Sequence, residues 1–198
     1  MSAEIVVFGP RDRDIQPPKG TKYISTVSKA DELWSQLSPF KLGPCRLWGC
    51  NSSRTMETAW QYSKVYKEHV GKDGKPNKKW LHWAEAGWRN FSAVRYPMGK
   101  GAVPEYSWWN GERYGYVQAR AKIYIPLYAR LVTKTEAFFE LKKLYKRKEE
   151  IWLWDYDGYD RRKTGARLLD VLVNPYKKMG HAFVLAMLLE WGEDFYRV

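Results

Sequence analysis

Residues 53–70 read SRTMETAWQYSKVYKEHV. Ser53 is of the type that caps helix N-termini. Met56, Ala59, Trp60 and Ser63 then recur at helical spacing, which predicts a helix from about Arg54 to Val70. On that helix Glu57, Gln61, Lys64 and Glu68 follow i, i+4, i+7, i+11 and fall within one narrow stripe beside Trp60. Two readings of the stripe stand side by side. It is a solvated polar face, contributing a few tenths of a kcal/mol through side-chain pairing, or it is a carboxylate, an amide and an amine lining one wall of a cleft. In a cleft a partly buried lysine loses its proton more readily, because desolvation disfavours the charged form. A neutral amine attacks a carbonyl or anomeric carbon and forms a Schiff base, and a neighbouring carboxylate moves protons.

Working outward, Glu4 to Gly9 (EIVVFG) reads as a short strand ended by Pro10 and a charged turn, Arg11 to Asp14. Ser28 to Leu37 is expected to be a short helix capped by Ser28, followed by a turn-rich connection through Pro44. Beyond the central stretch, Gly71 to Lys79 reads as a basic surface loop and Trp80 to Phe91 as a helix with Trp80, Trp83 and Trp88 roughly on one face. Arg95 to Pro104 (RYPMGKGAVP) is a glycine-rich loop. Lys100 between two glycines makes it either a phosphate cradle of backbone N–H groups and cations, with Arg95, or a plain surface turn. Glu112 to Leu131 is helical in pattern, and Pro126 must kink or split it. Thr135 to Tyr145 is a further helix, Ile151 to Trp154 a short apolar strand, Ala166 to Val173 a short helix stopped by Asn174-Pro175, and Gly180 to Tyr196 an apolar terminal helix. The pattern is α+β and mainly α, with a few short strands.

The 198 residues fit a single domain, with 1–32 as an N-terminal appendage. Two cysteines, Cys45 and Cys50, exclude a disulfide-built scaffold. No apolar run approaches the roughly 20 residues that span a bilayer, and Ile5 to Phe8 is far too short for a signal-peptide core. The expectation is a soluble intracellular protein, cytoplasmic or nuclear, with no membrane partner. Lys and Arg number 34 against 22 Asp and Glu, a net charge of +12 that favours polyanionic partners such as DNA, RNA, nucleotides or ADP-ribose. Eleven tryptophans interleave with these cations; most are expected in the core, while exposed ones offer faces on which nucleobases stack.

No zinc spacing is present, since Cys45 and Cys50 lack a second pair and His69, His82 and His181 are scattered. Asp155-x-Asp157-Gly158-x-Asp160 fails as a calcium loop because its glycine is fourth rather than sixth and its twelfth residue is Ala166. No metal or cofactor is expected, and nucleotide-hydrolase and serine-hydrolase motifs are absent. The cluster Asp155 to Asp160 holds three carboxylates in six residues. Like charges so close raise one another's pKa and retain a proton for general acid work, unless the cluster is a solvated turn neutralised by Arg161 and Arg162.

Taken in series, these motifs resemble the NADAR (YbiA-like) family. Leu37-Ser38-Pro39-Phe40 stands where that family has L-S-N-F, and Glu57, Gln61 and Lys64 match its E-x-x-x-Q-x-x-K. Asp155 and Asp160 match the spacing of E-x-x-x-x-D with Asp for Glu, and Gly180 to Leu189 resembles the closing G-x-N helix. Arg161 to Gly165 replaces the family's W-G-x-G, Ala182 replaces its Asn, and residues 68–80 and 86–107 resemble basic, Trp-rich insertions into a 33–198 core. The chain thus resembles a divergent member or a sister group. The resemblance implies a helix-dominated N-glycosidase that cleaves C–N bonds of ribosides, including ADP-ribosylated or modified bases in nucleic acid. It implies Lys64 as the nucleophile of a Schiff-base-type intermediate, Glu57 and Gln61 as orienting or proton-handling groups, and Asp155 and Asp160 as sugar-binding or leaving-group residues. Trp60, Trp108 and Trp109 would wall the base, with Asp157, Arg95 and Lys100 as further substrate contacts. A non-enzymatic nucleic-acid-binding protein and a nucleoside-modifying glycosyl transferase are the alternatives.

Overall fold

A computed structural model describes residues 4–21 and 23–197. In chain order the elements are β1 (Ile5–Phe8), β2 (Ile24–Ser25), β3 (Cys45–Arg46), β4 (Ser52–Ser53), α1 (Met56–Gln61), β5 (Lys64–Val65), α2 (Lys78–Arg89), β6 (Tyr106–Trp109) and β7 (Glu112–Tyr114). There follow α3 (Tyr116–Ala119), α4 (Ile125–Val132), α5 (Glu136–Lys146), β8 (Ile151–Trp154), α6 (Leu168–Val173) and α7 (His181–Trp191). The class is α+β, dominated by helices. No helix among the described residues is long and apolar enough to cross a membrane. The chain divides into two units, one of Met1–Lys41 with Tyr128–Val198 and one of Leu42–Leu127.

The first unit is built on a parallel sheet in the order β1-β8-β2. Ile5 pairs with Ile151 and Phe8 with Trp154, while Ile24 pairs with Leu153 on the other side. A strand with parallel neighbours on both sides reads as a continuous apolar run rather than an alternating one, as IWLW does. Both outer strands come from the 1–32 stretch that sequence alone sets apart as an appendage. Helix α7 is buried from His181 through Leu189, the signature of a helix enclosed on every side. Helix α5 starts at the Thr135 cap, whose hydroxyl accepts from the Phe138 amide, and buries Ala137, Phe138 and Leu141. The helix expected over Ser28 to Leu37 is only a 3-10 turn, Trp34–Leu37, with the Asp31 carboxylate accepting from the Trp34 amide. Residues 28–33 offer a core only Ala30 and Leu33, too little apolar surface to hold further turns in place.

The second unit contains a small β3–β4 hairpin and an antiparallel sheet in the order β5-β6-β7. Its core is Tyr62, Val65, Trp80, Ala84, Trp88 and Tyr106. Helix α2 begins one turn's fraction earlier than its tryptophan pattern indicates, because Asn77 caps it by accepting from the Trp80 amide. The expected helix over Glu112 to Leu131 starts late, since Glu112–Tyr114 pairs with Tyr106–Trp109 around Asn110 and Gly111, whose φ angles are 50° and 84°. Both centres at positive φ make the primed turn that matches strand twist, and Asn-Gly is its strongest sequence sign. From Tyr116 the helix runs through Pro126 without splitting. A wider π turn, Arg120–Tyr124, lies where the proline lacks its N–H and would crowd the preceding carbonyls.

Candidate functional site

Helix α1 has six residues rather than the expected seventeen or so. Its cap is Thr55, not Ser53: the Thr55 hydroxyl accepts from the Thr58 amide at 3.1 Å, and the Thr58 hydroxyl accepts from the Thr55 amide at 3.2 Å. Ser53 lies in β4 and supports this box through a 2.6 Å hydroxyl contact with Thr58. After Gln61 the chain turns. Ser63 donates its hydroxyl to the Trp60 carbonyl, the Trp108 amide donates to the Ser63 carbonyl at 2.7 Å, and Lys64 and Val65 pair with Ser107 and Tyr106. Lys64 therefore stands on a strand, not on the helix, and Glu68 leaves the stripe to stand exposed in a 3-10 turn, Lys67–His69.

The break nevertheless leaves the three functional groups connected. Gln61 Nε2 donates to Glu57 Oε1 at 2.8 Å, and Lys64 Nζ donates to Gln61 Oε1 at 2.6 Å. Glu57 and Gln61 are buried and Lys64 half-buried. The carboxylate polarises the amide and pushes electron density toward Gln61 Oε1, which makes it a stronger acceptor for the amine. The amine also lies 5.2 Å from the Trp60 ring centroid, within cation–π range, and the Trp60 ring meets Tyr124 edge-on at 5.1 Å. Two neighbours fix the backbone beneath. Trp80 Nε1 donates to the Lys64 carbonyl at 3.0 Å, and the Tyr62 ring rests on Gly87 of α2, where a Cβ would come within 2.1 Å of it.

Strand alternation separates the two tryptophans expected to flank a base. Trp108 shares the face of Val65 and Tyr106 and packs against the core, whereas Trp109 shares the face of Lys64 and Ser107 and meets Trp48 at 4.8 Å. Of the eleven tryptophans, only Trp60, Trp80, Trp88 and Trp152 are buried; Trp191 is exposed and the rest lie half-buried. Arg95 is half-buried beside Tyr96, and Lys100 is exposed in its loop. Two amides of that loop turn inward, from Gly99 to the Tyr96 carbonyl and from Ala102 to the Gly99 carbonyl, and so do not face a phosphate.

The acids belong to the other unit. Asp155 is 3% exposed; its Oδ1 accepts from the Asp157 amide, and its Oδ2 from the Ala182 amide and from His181 Nδ1, each at 3.1 Å. The other imidazole nitrogen, Nε2, faces the Thr26 carbonyl at 2.8 Å. The carboxylate thus holds the imidazole and the Ala182 amide at one buried point. Gly180 permits the approach, since a Cβ there would lie 2.2 Å from Asp155 Oδ2. Burial, with the Asp155 charge added, holds the Tyr128 hydroxyl well above its usual range, and that hydroxyl donates to the Leu37 carbonyl. Asp160 caps a 3-10 turn, Arg161–Thr164, and is bridged by Arg162 at 2.9 Å. Burial raises its pKa, but the hydrogen bonds and charges of Arg162, with Lys163, outweigh this and hold it low. Asp157 is half-buried, and its amide is the one held by Asp155.

Sequence reasoning missed Ser107, opposite Lys64, and the pairing of Asp155 with His181. The Asn110-Gly111 turn signalled the hairpin that brings the first to the site. No local pattern signals the second, because the partners are 26 residues apart. No group of three or more His, Cys, Asp or Glu among the described residues is placed to hold a metal ion. Comparison with known proteins finds no family model, no curated protein and no solved structure that matches the chain.

Proposed function

We propose that the Leu42–Leu127 unit is the catalytic part of an N-glycosidase acting on a nucleotide-like or ADP-ribosyl riboside, with Lys64 as the nucleophile. The observation that carries the reading is the hydrogen-bonded chain from buried Glu57 and Gln61 to the half-buried Lys64 amine, set beside the Trp60 ring. The nitrogen attacks through its lone pair, so the ammonium gives up a proton as the base departs. Attack on C1′ forms the C1′–Nζ bond and breaks the bond from C1′ to the base. Of the three ammonium protons, one passes to the departing base, one to the ring oxygen as the sugar opens, and one stays on the iminium. Water then adds at C1′ and returns the sugar aldehyde and the lysine ammonium, so the net reaction is hydrolysis. Gln61 is the positioning residue: it holds one N–H of the amine and so fixes where the nitrogen stands. Asp155 and Asp160 are engaged within their own unit and receive no step here. The resemblance to NADAR proteins supports the same assignment of Lys64, and an intracellular location is part of the proposal.

The test is base release from an ADP-ribosyl-guanine oligonucleotide, followed by chromatography, with borohydride added to reduce the iminium. The expected result is a sugar adduct on Lys64, located by peptide mass spectrometry, and loss of turnover in Lys64→Ala. Undiminished base release by Lys64→Ala would overturn the assignment.

A further inference from the structure

We infer that the Leu42–Leu127 unit also carries a binding surface for a single-stranded polynucleotide along α2, independent of the Lys64 chemistry. This unit holds 14 Lys and Arg against 6 Asp and Glu, a net +8 within the chain's +12. At the start of α2 the cations are gathered by a rigid turn. Val70 bridges Pro76, the Gly71 amide donates to the Lys75 carbonyl at 2.7 Å, and Asn77 ties the turn to the His69 carbonyl at 2.8 Å. Lys72, Lys75, Lys78 and Lys79 are all exposed around it. The first turn of α2 contains no acid. Acids stabilise that end of a helix and cations oppose its dipole, so the lysines there sit against a local electrostatic cost that bound phosphates relieve.

At the other end of α2 an aromatic platform stands in solvent. Phe91 is 80% exposed, and the Ser92 amide donates to the Asn90 side chain, bending the chain around it. The Arg54 guanidinium lies 4.1 Å from the Phe91 centroid and covers one face, while the Arg54 amide is anchored to the Trp88 carbonyl at 2.9 Å. A ring with a cation on one side and water on the other is suited to stacking a base and holding its phosphate. Helix periodicity places Lys78 and Arg89 on one exposed face, so basic charge recurs at both ends of the helix, Arg89 being paired with Glu85. A duplex withholds its base faces inside the stack, which is why the occupant is a single strand.

The test is fluorescence anisotropy of a labelled oligothymidylate and of a duplex of equal length, across a salt series. The single strand is expected to bind more tightly. Phe91→Ala is expected to weaken it by about 5- to 150-fold, the range for losing one stacked base, while Phe91→Tyr keeps the affinity. Lys75→Gln with Lys78→Gln is expected to lower the slope of log affinity against log salt by about 1.4, at about 0.7 per cation. These side chains are exposed, so circular dichroism of each variant is expected to match the parent. Absence of binding, equal binding by Phe91→Ala, or displacement of the oligonucleotide by phosphatidylserine vesicles to the same extent in both proteins overturns the inference. Lys64→Ala is expected to bind normally, so failure of the glycosidase reading and failure of this one are told apart.

Discussion

Replacing Asp155 with alanine removes the acceptor for three N–H groups at once: the Asp157 amide, the Ala182 amide and His181 Nδ1. The site is 3% exposed, so water does not take the carboxylate's place. Each buried donor left unsatisfied costs about 1–3 kcal/mol, so the loss of this acceptor is expected to cost about 3–5 kcal/mol in all. The three losses overlap rather than add, since all three groups share one carboxylate. For a chain of this size each kcal/mol lowers Tm by about 2–4 °C, so a fall of about 6–20 °C is expected. Urea unfolding at neutral pH, followed by tryptophan fluorescence and far-ultraviolet circular dichroism, measures the loss directly. His181→Ala should cost much less in the Asp155→Ala background than alone. A loss below about 1 kcal/mol, or additive single and double variants, would show that the carboxylate does not fasten the segment after β8 to α7.

Three further outcomes are expected. Gln61→Leu keeps the side chain's bulk but breaks both hydrogen bonds, and should lower kcat for base release by about 10²-fold with KM little changed; a raised KM with kcat unchanged would place Gln61 in contact with substrate instead. Gly87→Ala should destabilise by about 1–3 kcal/mol in urea titrations, because its methyl meets the Tyr62 ring; stabilisation, as helix propensity alone requires, would refute that packing. Burial pushes the His69 pKa down, with the nearby Lys79 charge adding to it against Glu68. The unfolded chain therefore binds this proton first as pH falls below about 6.5, and stability present above that value is lost through the lower folded pKa. His69→Gln should flatten this acid-side slope in a pH series of urea midpoints, and an unchanged slope would assign it to other groups.

Sequence pattern located β1, β8, α5 and α7 well, because each is a clean apolar run or period bounded by strong punctuation such as Pro10 or Thr135. It erred where two patterns overlap. Met56, Ala59 and Trp60 continue helically into Ser63, yet Lys64 and Val65 form a strand, half-buried then buried, and pairing with Ser107 and Tyr106 decides for it. Glu57, Gln61 and Lys64 were legible as a group even though the helix invoked to join them stops at Gln61. The reason is geometric: a helix end followed by a tight turn returns the third residue to within reach of its own last turn. The demands on Asp155 were not legible, since the need for a carboxylate arises from an amide and an imidazole supplied by a distant helix.

The order of strands in the first unit bears on how the chain is made. Its middle strand, Ile151–Trp154, emerges long after Ile5–Phe8 and Ile24–Ser25, with the whole Leu42–Leu127 unit between them. During synthesis the inserted unit has all its own strands in hand first, while the two early strands wait without a neighbour. Slow distant pairing of this kind leaves apolar edges uncovered on a nascent chain. Assistance from a holding chaperone is thus more valuable to the N-terminal forty residues than to any later stretch.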